Sequence, residues 1–130
     1  MTEPDSPNVR SSDALPTTDD AALERLKRFG GGKLLGEMIS LFLSAAPDRI
    51  SAARAGVDAR DAVAAEMALH SLKSSSAQLG ALRMQRLSEH GEAIARKGDL
   101  EGVDHVVREL ESEFPHVHRW LDGARLLGDA

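Results

Sequence analysis

Residues 68–80, ALHSLKSSSAQLG, are the most informative stretch of this 130-residue chain. If they form a helix, which turns by about 100° per residue, four residues suited to a core share one side: Leu69, Leu72, Ser76 and Leu79. His70 then lies beside that stripe, with Lys73 and Ser74 one turn further on and Ala77 two turns on. The spacing predicts a helix that buries one side and exposes an imidazole with an ammonium as its neighbour.

Apolar residues also recur at three- and four-residue spacing on the N-terminal side of this stretch, a pattern typical of helices with one buried side. They predict a short helix over about 21–29, ended by three glycines, and a second helix from about 33 onward. Pro47 interrupts the second pattern, so we expect a kink or a new first turn there. Gly56 is the predicted end of that helix.

Three further helices are predicted along the rest of the chain. Asp58 or Asp61 is the expected N-cap of a helix over about 62–79, and another helix follows over about 82–97. Pro115 must bend or break the last helix. That helix places its apolar residues on one face: Val103, Val106, Val107, Leu110, Phe114, Val117 and Leu121.

The composition agrees with a helical domain. Hydrophobic residues make up 42% of the chain and aromatic residues only 3%, so aliphatic side chains must fill the core, whereas strands favour aromatic and β-branched residues. We predict an all-α protein, an antiparallel four-helix bundle with a short extra N-terminal helix, over residues 19–130. Residues 1–18 are rich in Pro, Ser, Thr and Asp, which predicts a flexible N-terminal tail.

The charge distribution argues against several classes of function. Of the net charge of −5, residues 1–20 carry −4, so the rest of the chain is nearly neutral. A nucleic-acid-binding protein would show a basic face with stacking aromatic residues, and neither is visible. No apolar run approaches the ~20 residues that span a bilayer, and the first residues lack a basic region followed by a hydrophobic stretch. We expect a soluble cytoplasmic protein that binds neither nucleic acid nor membrane.

The histidines other than His70 do not predict a metal site. The chain has no cysteine, which removes thiolate ligands. His116 and His118 are two residues apart, so their imidazoles point to different sides of a helix. Glu113 and His116 form only half of a di-iron signature, with Pro115 between them. We therefore expect no bound metal.

His70 and Lys73 together suit phosphoryl chemistry. A neutral imidazole can attack phosphorus through a ring nitrogen, and an ammonium one turn away can partly neutralise the incoming phosphoryl group. The small side chains of residues 74–77 would let a partner protein bring its own phosphoryl donor close. From spacing alone, the alternative that His-Ser-Leu-Lys is an accidental surface tetrapeptide stays open.

Residues 70–80 resemble the motif of histidine phosphotransfer (HPt) domains, H-x-hydrophobic-K-G-small-small-x-x-hydrophobic-G, with the same spacing from the histidine to the final glycine. AALERLKRF and LLGEMISLFLSAAPDRI look like the family's first two helices, and ARKGDLEGV looks like its turn into the last one. The resemblance covers about residues 19–125. It implies a helical bundle that accepts a phosphoryl group from an aspartate of one receiver domain and passes it to another receiver in a two-component phosphorelay, as a carrier and not an autonomous kinase.

The resemblance also implies roles for individual residues. His70 matches the phosphorylated histidine, and Lys73 matches the lysine that stabilises the phosphoryl group. Glu92 falls where many members place a Gln or Glu that hydrogen-bonds the other imidazole nitrogen, which would leave Nε2 as the attacking atom. Ser74 replaces the usual glycine, so we expect slower docking. Arg96 would add positive charge near the phosphoryl group.

The implied partners are response-regulator receiver domains and a sensor histidine kinase of the hybrid type. Four residues are expected to contact them: Ser71, Ser74, Ala77 and Arg96. The chain itself would bind no cofactor, with Mg²⁺ held by the receiver, and we expect a monomer.

Two alternatives stay open. The chain could be the phosphorylatable module of a chemotaxis-type histidine kinase, supplied by a separate ATP-binding chain because no Gly-rich phosphate cradle is present here. It could also be a non-catalytic helical adaptor.

Overall fold

The computed structural model describes residues 15–129 and, for 127–129, the backbone alone. Four helices follow one another: α1 (Asp20–Asp58), α2 (Ala62–Leu79), α3 (Leu82–Arg96) and α4 (Leu100–Asp129). Short connections join them, so consecutive helices run antiparallel. Helices α1 and α3 each pack against α2 and α4, which closes a four-helix bundle. No strand occurs in the described part of the chain, and the predicted all-α bundle is confirmed.

Helix α1 unites the two N-terminal helices that the sequence predicts. Asp19 caps its start by accepting a hydrogen bond from a backbone N–H of the first turn. Within α1 only Gly31 has non-helical dihedral angles, with φ 80° and ψ 176°, so the predicted short leading helix is the part of α1 before Gly31. The helix continues through Pro47 without a new first turn, and Ala46 and Ile50 on either side of it are buried in the core.

Gly56 does not end α1, contrary to the prediction, and is instead a point of close helix packing. The residue is buried, and a Cβ at this position would lie 2.8 Å from the backbone nitrogen of Ala65 on α2. The missing side chain therefore lets α1 and α2 approach each other. α1 ends at Asp58, and Asp61 caps α2 by accepting a hydrogen bond of 3.0 Å from the Ala64 N–H.

Glycine and aspartate residues also form the remaining helix ends. Gly80 ends α2 with φ 80°, and Gly98 follows α3 with φ 78°, a left-handed conformation that favours glycine. Asp99 then caps α4 by accepting a hydrogen bond of 3.0 Å from the Gly102 N–H. α4 continues through Pro115, so the proline does not break it. The predicted apolar face of α4 is confirmed, since its residues are buried or, for Phe114, packed against the core.

The core is aliphatic, as the composition predicts. All four helices contribute to its fully buried large side chains: Ile39, Leu69, Leu72, Leu79, Met84, Leu110 and Leu121. None of the helices in residues 20–129 is both long enough and apolar enough to cross a membrane.

Two residues that the sequence assigns to the N-terminal tail contact the start of α3. The Thr17 carbonyl accepts a hydrogen bond of 3.1 Å from the Arg83 N–H, and the Pro16 carbonyl accepts one of 3.1 Å from the Arg86 side chain. The Arg83 N–H is one of the amides that a helix start leaves without a partner, so this segment caps α3. Of the predicted flexible tail over residues 1–18, residues 1–14 lie outside the described residues.

Candidate functional site

The outward side of α2 carries the residues singled out for chemistry. Its inward side confirms the predicted stripe, with four residues at most 2% exposed: Leu69, Leu72, Ser76 and Leu79. The outward side exposes His70, Ser74 and Ala77, and before them Val63 and Met67. The His70 side chain is 59% exposed, so the imidazole is open to a partner molecule.

The hairpin formed by α2 and α3 determines which residues lie beside His70. The sequence separation is 22 residues between His70 and Glu92 and 30 residues between Glu66 and Arg96. Ala81, in the turn, is the midpoint of both pairs. Both pairs therefore lie side by side across the hairpin, about one helical turn apart.

Glu92 lies on α3 with its side chain only 4% exposed, and three side chains contact its carboxylate. The His70 Nδ1 lies 2.7 Å from Oε2, and the Lys73 Nζ lies 2.8 Å from Oε1. The Arg96 Nη2 donates to Oε2 at 2.9 Å. The structure thus brings Glu92 to the imidazole nitrogen named by the family resemblance.

The surroundings of Glu92 determine which nitrogen of His70 carries the proton. Burial raises the pKa of the Glu92 carboxyl, but the hydrogen bonds from Lys73 and His70 outweigh it and hold the pKa below the ordinary value of 4.5. Glu92 is consequently a carboxylate at neutral pH and can only accept hydrogen bonds. The shared proton therefore belongs to Nδ1, which leaves the lone pair of Nε2 free.

Lys73 lies one turn after His70 and is paired with Glu92, its side chain 30% exposed. The sequence predicts an ammonium as a neighbour of the imidazole, and the structure shows that α3 provides this ammonium with a carboxylate partner. A phosphoryl group bound at Nε2 would compete with Oε1 of Glu92 for this ammonium.

Arg96, the last residue of α3, is bound on two sides. Its Nε donates to Oε2 of Glu66 at 2.6 Å, while its Nη2 donates to Glu92. Both carboxylates raise the pKa of Arg96, first through the hydrogen bond with Glu66. The guanidinium is therefore part of an ion-pair network that joins α2 and α3. The family resemblance implies instead that Arg96 adds positive charge near the phosphoryl group.

Fewer of the small residues at 74–77 are exposed around His70 than the sequence predicts. Ser74 and Ala77 are exposed, but Ser75 is half-buried and Ser76 is fully buried. The Ser75 hydroxyl donates to the Ser71 carbonyl at 3.2 Å, so it turns toward the helix. Ser71 is itself half-buried, beside the cleft that contains His70.

A hollow of about 230 Å³ between α1 and α2 extends the surface away from His70. Met38 and Leu41 of α1 line it, as does Ser71, which also lines the cleft around His70. Leu41 is 70% exposed, and Met67, three residues before His70 on α2, is 66% exposed. These apolar side chains give the surface around the imidazole contact area that small residues alone lack.

Three residues of this region have no role in the predictions from the sequence: Glu66, Met67 and Leu41. Glu66 and Met67 lie four and three residues before His70, which is the spacing of neighbours on one helix face, so this signal was available. Leu41 had no such signal, because its place beside α2 depends on how α1 packs.

Local partners are present for three of the other histidines: His105, whose Nε2 lies 3.4 Å from Oε2 of Glu109, and His116 and His118. The described residues contain no group of three or more His, Cys, Asp or Glu side chains placed to hold a metal ion. His116 lies 2.8 Å from the guanidinium of Arg119, and His118 packs edge-on against Phe114.

Comparison with known proteins identifies a matching family and a similar solved structure. The Hpt domain model matches residues 37–120, which include α2, α3 and the whole site described above. Among solved structures, the histidine-containing phosphotransfer protein B (HptB) from Pseudomonas aeruginosa PAO1 is similar, with a TM-score of 0.81 and 25% sequence identity. That match covers 87% of this chain and 97% of HptB. No curated protein matches the sequence significantly.

Proposed function

Because the chain belongs to the Hpt domain family, we propose that it carries a phosphoryl group on His70 between receiver domains of a two-component phosphorelay. The group would come from an aspartate of one receiver and pass to an aspartate of another. One observation carries this proposal: an exposed imidazole whose Nδ1 is bound to a buried carboxylate, so that Nε2 is free to react.

In the transfer step, the lone pair of Nε2 attacks the phosphorus of the receiver's aspartyl phosphate. The N–P bond forms as the P–O bond to the aspartate breaks, and the aspartate leaves as a carboxylate. Nδ1 keeps its proton, so the phosphorylated ring is cationic, with Glu92 2.7 Å from that nitrogen before reaction. A charge-assisted hydrogen bond is stronger than a neutral one, so Glu92 stabilises the ring more as the bond forms.

Lys73 neutralises the transferred group in this mechanism. Lysine carries a compact charge on a flexible stem, so its ammonium can exchange Oε1 of Glu92 for a phosphoryl oxygen. Negative charge is spread over the equatorial oxygens in the transition state of phosphoryl transfer. A cation that reaches these oxygens lowers the barrier both when His70 receives the group and when it gives the group away.

The receiver would dock on the exposed surface around His70. Small side chains let the receiver come close to the imidazole, at Ser71, Ser74 and Ala77. Apolar contact area is supplied by Leu41 and Met67. The proposal assigns Mg²⁺ to the receiver and no cofactor to this chain. Arg96 lies at the edge of this surface with its side chain 61% exposed, where a partner could contact it.

We further propose that the protein is a cytoplasmic monomer, which acts as a carrier and has no kinase activity of its own. A carrier that meets two receivers in turn uses the same surface for both, so that surface must stay free of a second copy. The first receiver would belong to a hybrid sensor histidine kinase.

Incubation with a receiver domain phosphorylated on its aspartate, in the presence of Mg²⁺, tests the proposal. We expect alkali-stable, acid-labile label on the wild type and on a His90→Gln control, which changes an exposed histidine of α3. We expect no label on His70→Gln, and label there would assign the reaction to another residue. Label that appears only with an ATP-binding kinase chain would favour the chemotaxis-type module, and no label with either donor would favour an adaptor.

A further inference from the structure

The ion pair between Glu66 and Arg96 has no role in the transfer step described above. An exposed arginine in the last turn of a helix has many accessible conformations, yet this guanidinium is held at two points. Its Nε donates to Glu66 at 2.6 Å and its Nη2 donates to Glu92 at 2.9 Å. One side chain of α3 thereby links a carboxylate of α2 to the buried carboxylate that contacts His70.

The two oxygens of Glu92 have different partners. Oε1 is paired with Lys73, whereas Oε2 contacts both His70 and Arg96. When Lys73 moves to the phosphoryl group, Oε1 loses its cation although the side chain is only 4% exposed. A buried carboxylate with too few positive partners takes up a proton or turns toward water. Either change would release Nδ1 of His70.

We propose that Glu66 is a positioning residue that holds Arg96 against Glu92, so that Glu92 stays charged and in contact with His70 while Lys73 is at the phosphoryl group. The movement of Lys73 in this inference rests on the proposed function. Glu66 acts through Arg96 and not on the reacting atoms. Arginine suits the task, because the planar guanidinium presents several N–H donors in a rigid fork that can bind two carboxylates at once.

The Lys73→Ala variant reproduces the state in which Lys73 has left Glu92. Nitrogen-15 NMR shifts of the His70 ring, at a pH where the ring is neutral, report which nitrogen carries the proton. We expect the Nδ1–H tautomer in Lys73→Ala and in Lys73→Ala/Glu89→Ala, a control that removes an exposed carboxylate of α3. In Lys73→Ala/Glu66→Ala we expect a shift to the Nε2–H tautomer. A persisting Nδ1–H tautomer in that variant would overturn the proposal.

Phosphorylation by phosphoramidate, a small donor that needs no docking, tests whether Glu66 acts through Arg96. With Lys73 present, Glu66→Ala and Arg96→Ala should each slow phosphorylation roughly two- to fivefold, the range typical of an exposed ion pair. Glu89→Ala should leave the rate unchanged. The double variant Glu66→Ala/Arg96→Ala should be no slower than Arg96→Ala alone. Rate losses that multiply in the double variant would show that Glu66 acts independently, against the proposal.

The tautomer measurement uses the unphosphorylated protein and no partner. If the wild type takes no phosphoryl group from any receiver, the proposed function fails, but the tautomer of the Glu66 variants still decides whether this residue positions Glu92. Circular dichroism of each variant checks that the helices are intact.

Discussion

Glu92 determines what the imidazole of His70 can do. Burying a carboxylate costs free energy unless cations and hydrogen-bond donors offset the lost hydration. Lys73, Arg96 and His70 supply these contacts. The contact from His70 also places the proton on Nδ1. The interactions that stabilise a buried charge therefore also expose a nucleophilic nitrogen.

Removing the Lys73 ammonium should affect the reaction and not the fold. We expect Lys73→Ala to slow transfer from a phosphorylated receiver roughly tenfold or more, since one donor to the transition state is lost. Transfer assays stopped at a series of times measure this rate, with Lys97→Ala as the control because Lys97 is an exposed lysine next to α3. Unchanged kinetics in Lys73→Ala would remove this residue from the mechanism.

The lowered pKa of Glu92 predicts a pH dependence of stability. Because the pKa in the folded state lies below the ordinary value of 4.5, ionised Glu92 stabilises the fold fully above about pH 4.5. This stabilisation is lost as the pH falls through the folded-state pKa. We expect the free energy of unfolding to fall less steeply below that pH in Glu92→Gln than in the wild type. Urea unfolding at a series of pH values measures this, and equal slopes would contradict it.

At the level of helices, small residues determine how closely α1 and α2 approach. Gly56 packs directly on the backbone of α2, and the neighbouring helix offers Ala65 at the contact. Side chains in a well-packed core have little room to shift. Two antiparallel helices at this distance cannot accept even one added methyl group without moving apart.

Two glycine-to-alanine substitutions separate packing from helix propensity. Gly56→Ala should lower the free energy of unfolding by about 1–3 kcal/mol, the usual cost of overpacking, since its Cβ would lie 2.8 Å from a backbone nitrogen. Gly123→Ala is the control, because an exposed helical position with nothing within 4 Å should gain up to about 1 kcal/mol from helix propensity. Urea unfolding measures both, and a neutral or stabilising Gly56→Ala would refute the close contact.

At the scale of the whole molecule, the reactive residues and the helices that support them lie in different parts of the bundle. The nucleophile and its carboxylate lie on α2 and α3, while α1 and α4 complete the core beneath them. The partner's surface must then fit the outward side of α2 and the adjoining part of α1. Docking, unlike the chemical step, therefore depends on how helices that carry no reactive residue are placed.

Ser74 tests the contribution of docking to the rate. Ser74→Gly restores the residue usual in the family, and we expect faster transfer from a phosphorylated receiver, by roughly two- to tenfold. The rate with phosphoramidate should stay the same, because this donor does not dock. A glycine inside a helix should also lower stability by up to about 1 kcal/mol. An equal change with both donors would indicate an effect on His70 itself and not on docking.

Much of this fold could be predicted from the sequence, because helices with one buried side repeat their apolar residues locally. The stripe of α2, the face of α4 and the cap at Asp61 all depend on neighbours within a few residues. The same holds for the common face of His70, Lys73 and Ser74, which helical spacing alone determines.

Only the tertiary structure decided which side chains of different helices meet. It placed Glu92 in a buried position with three partners, joined Arg96 to Glu66, and made Gly56 a packing contact and not a helix end. It also placed the Thr17 carbonyl in a hydrogen bond with the Arg83 N–H of α3. Each of these contacts depends on the register and distance between two segments, which local periodicity does not encode.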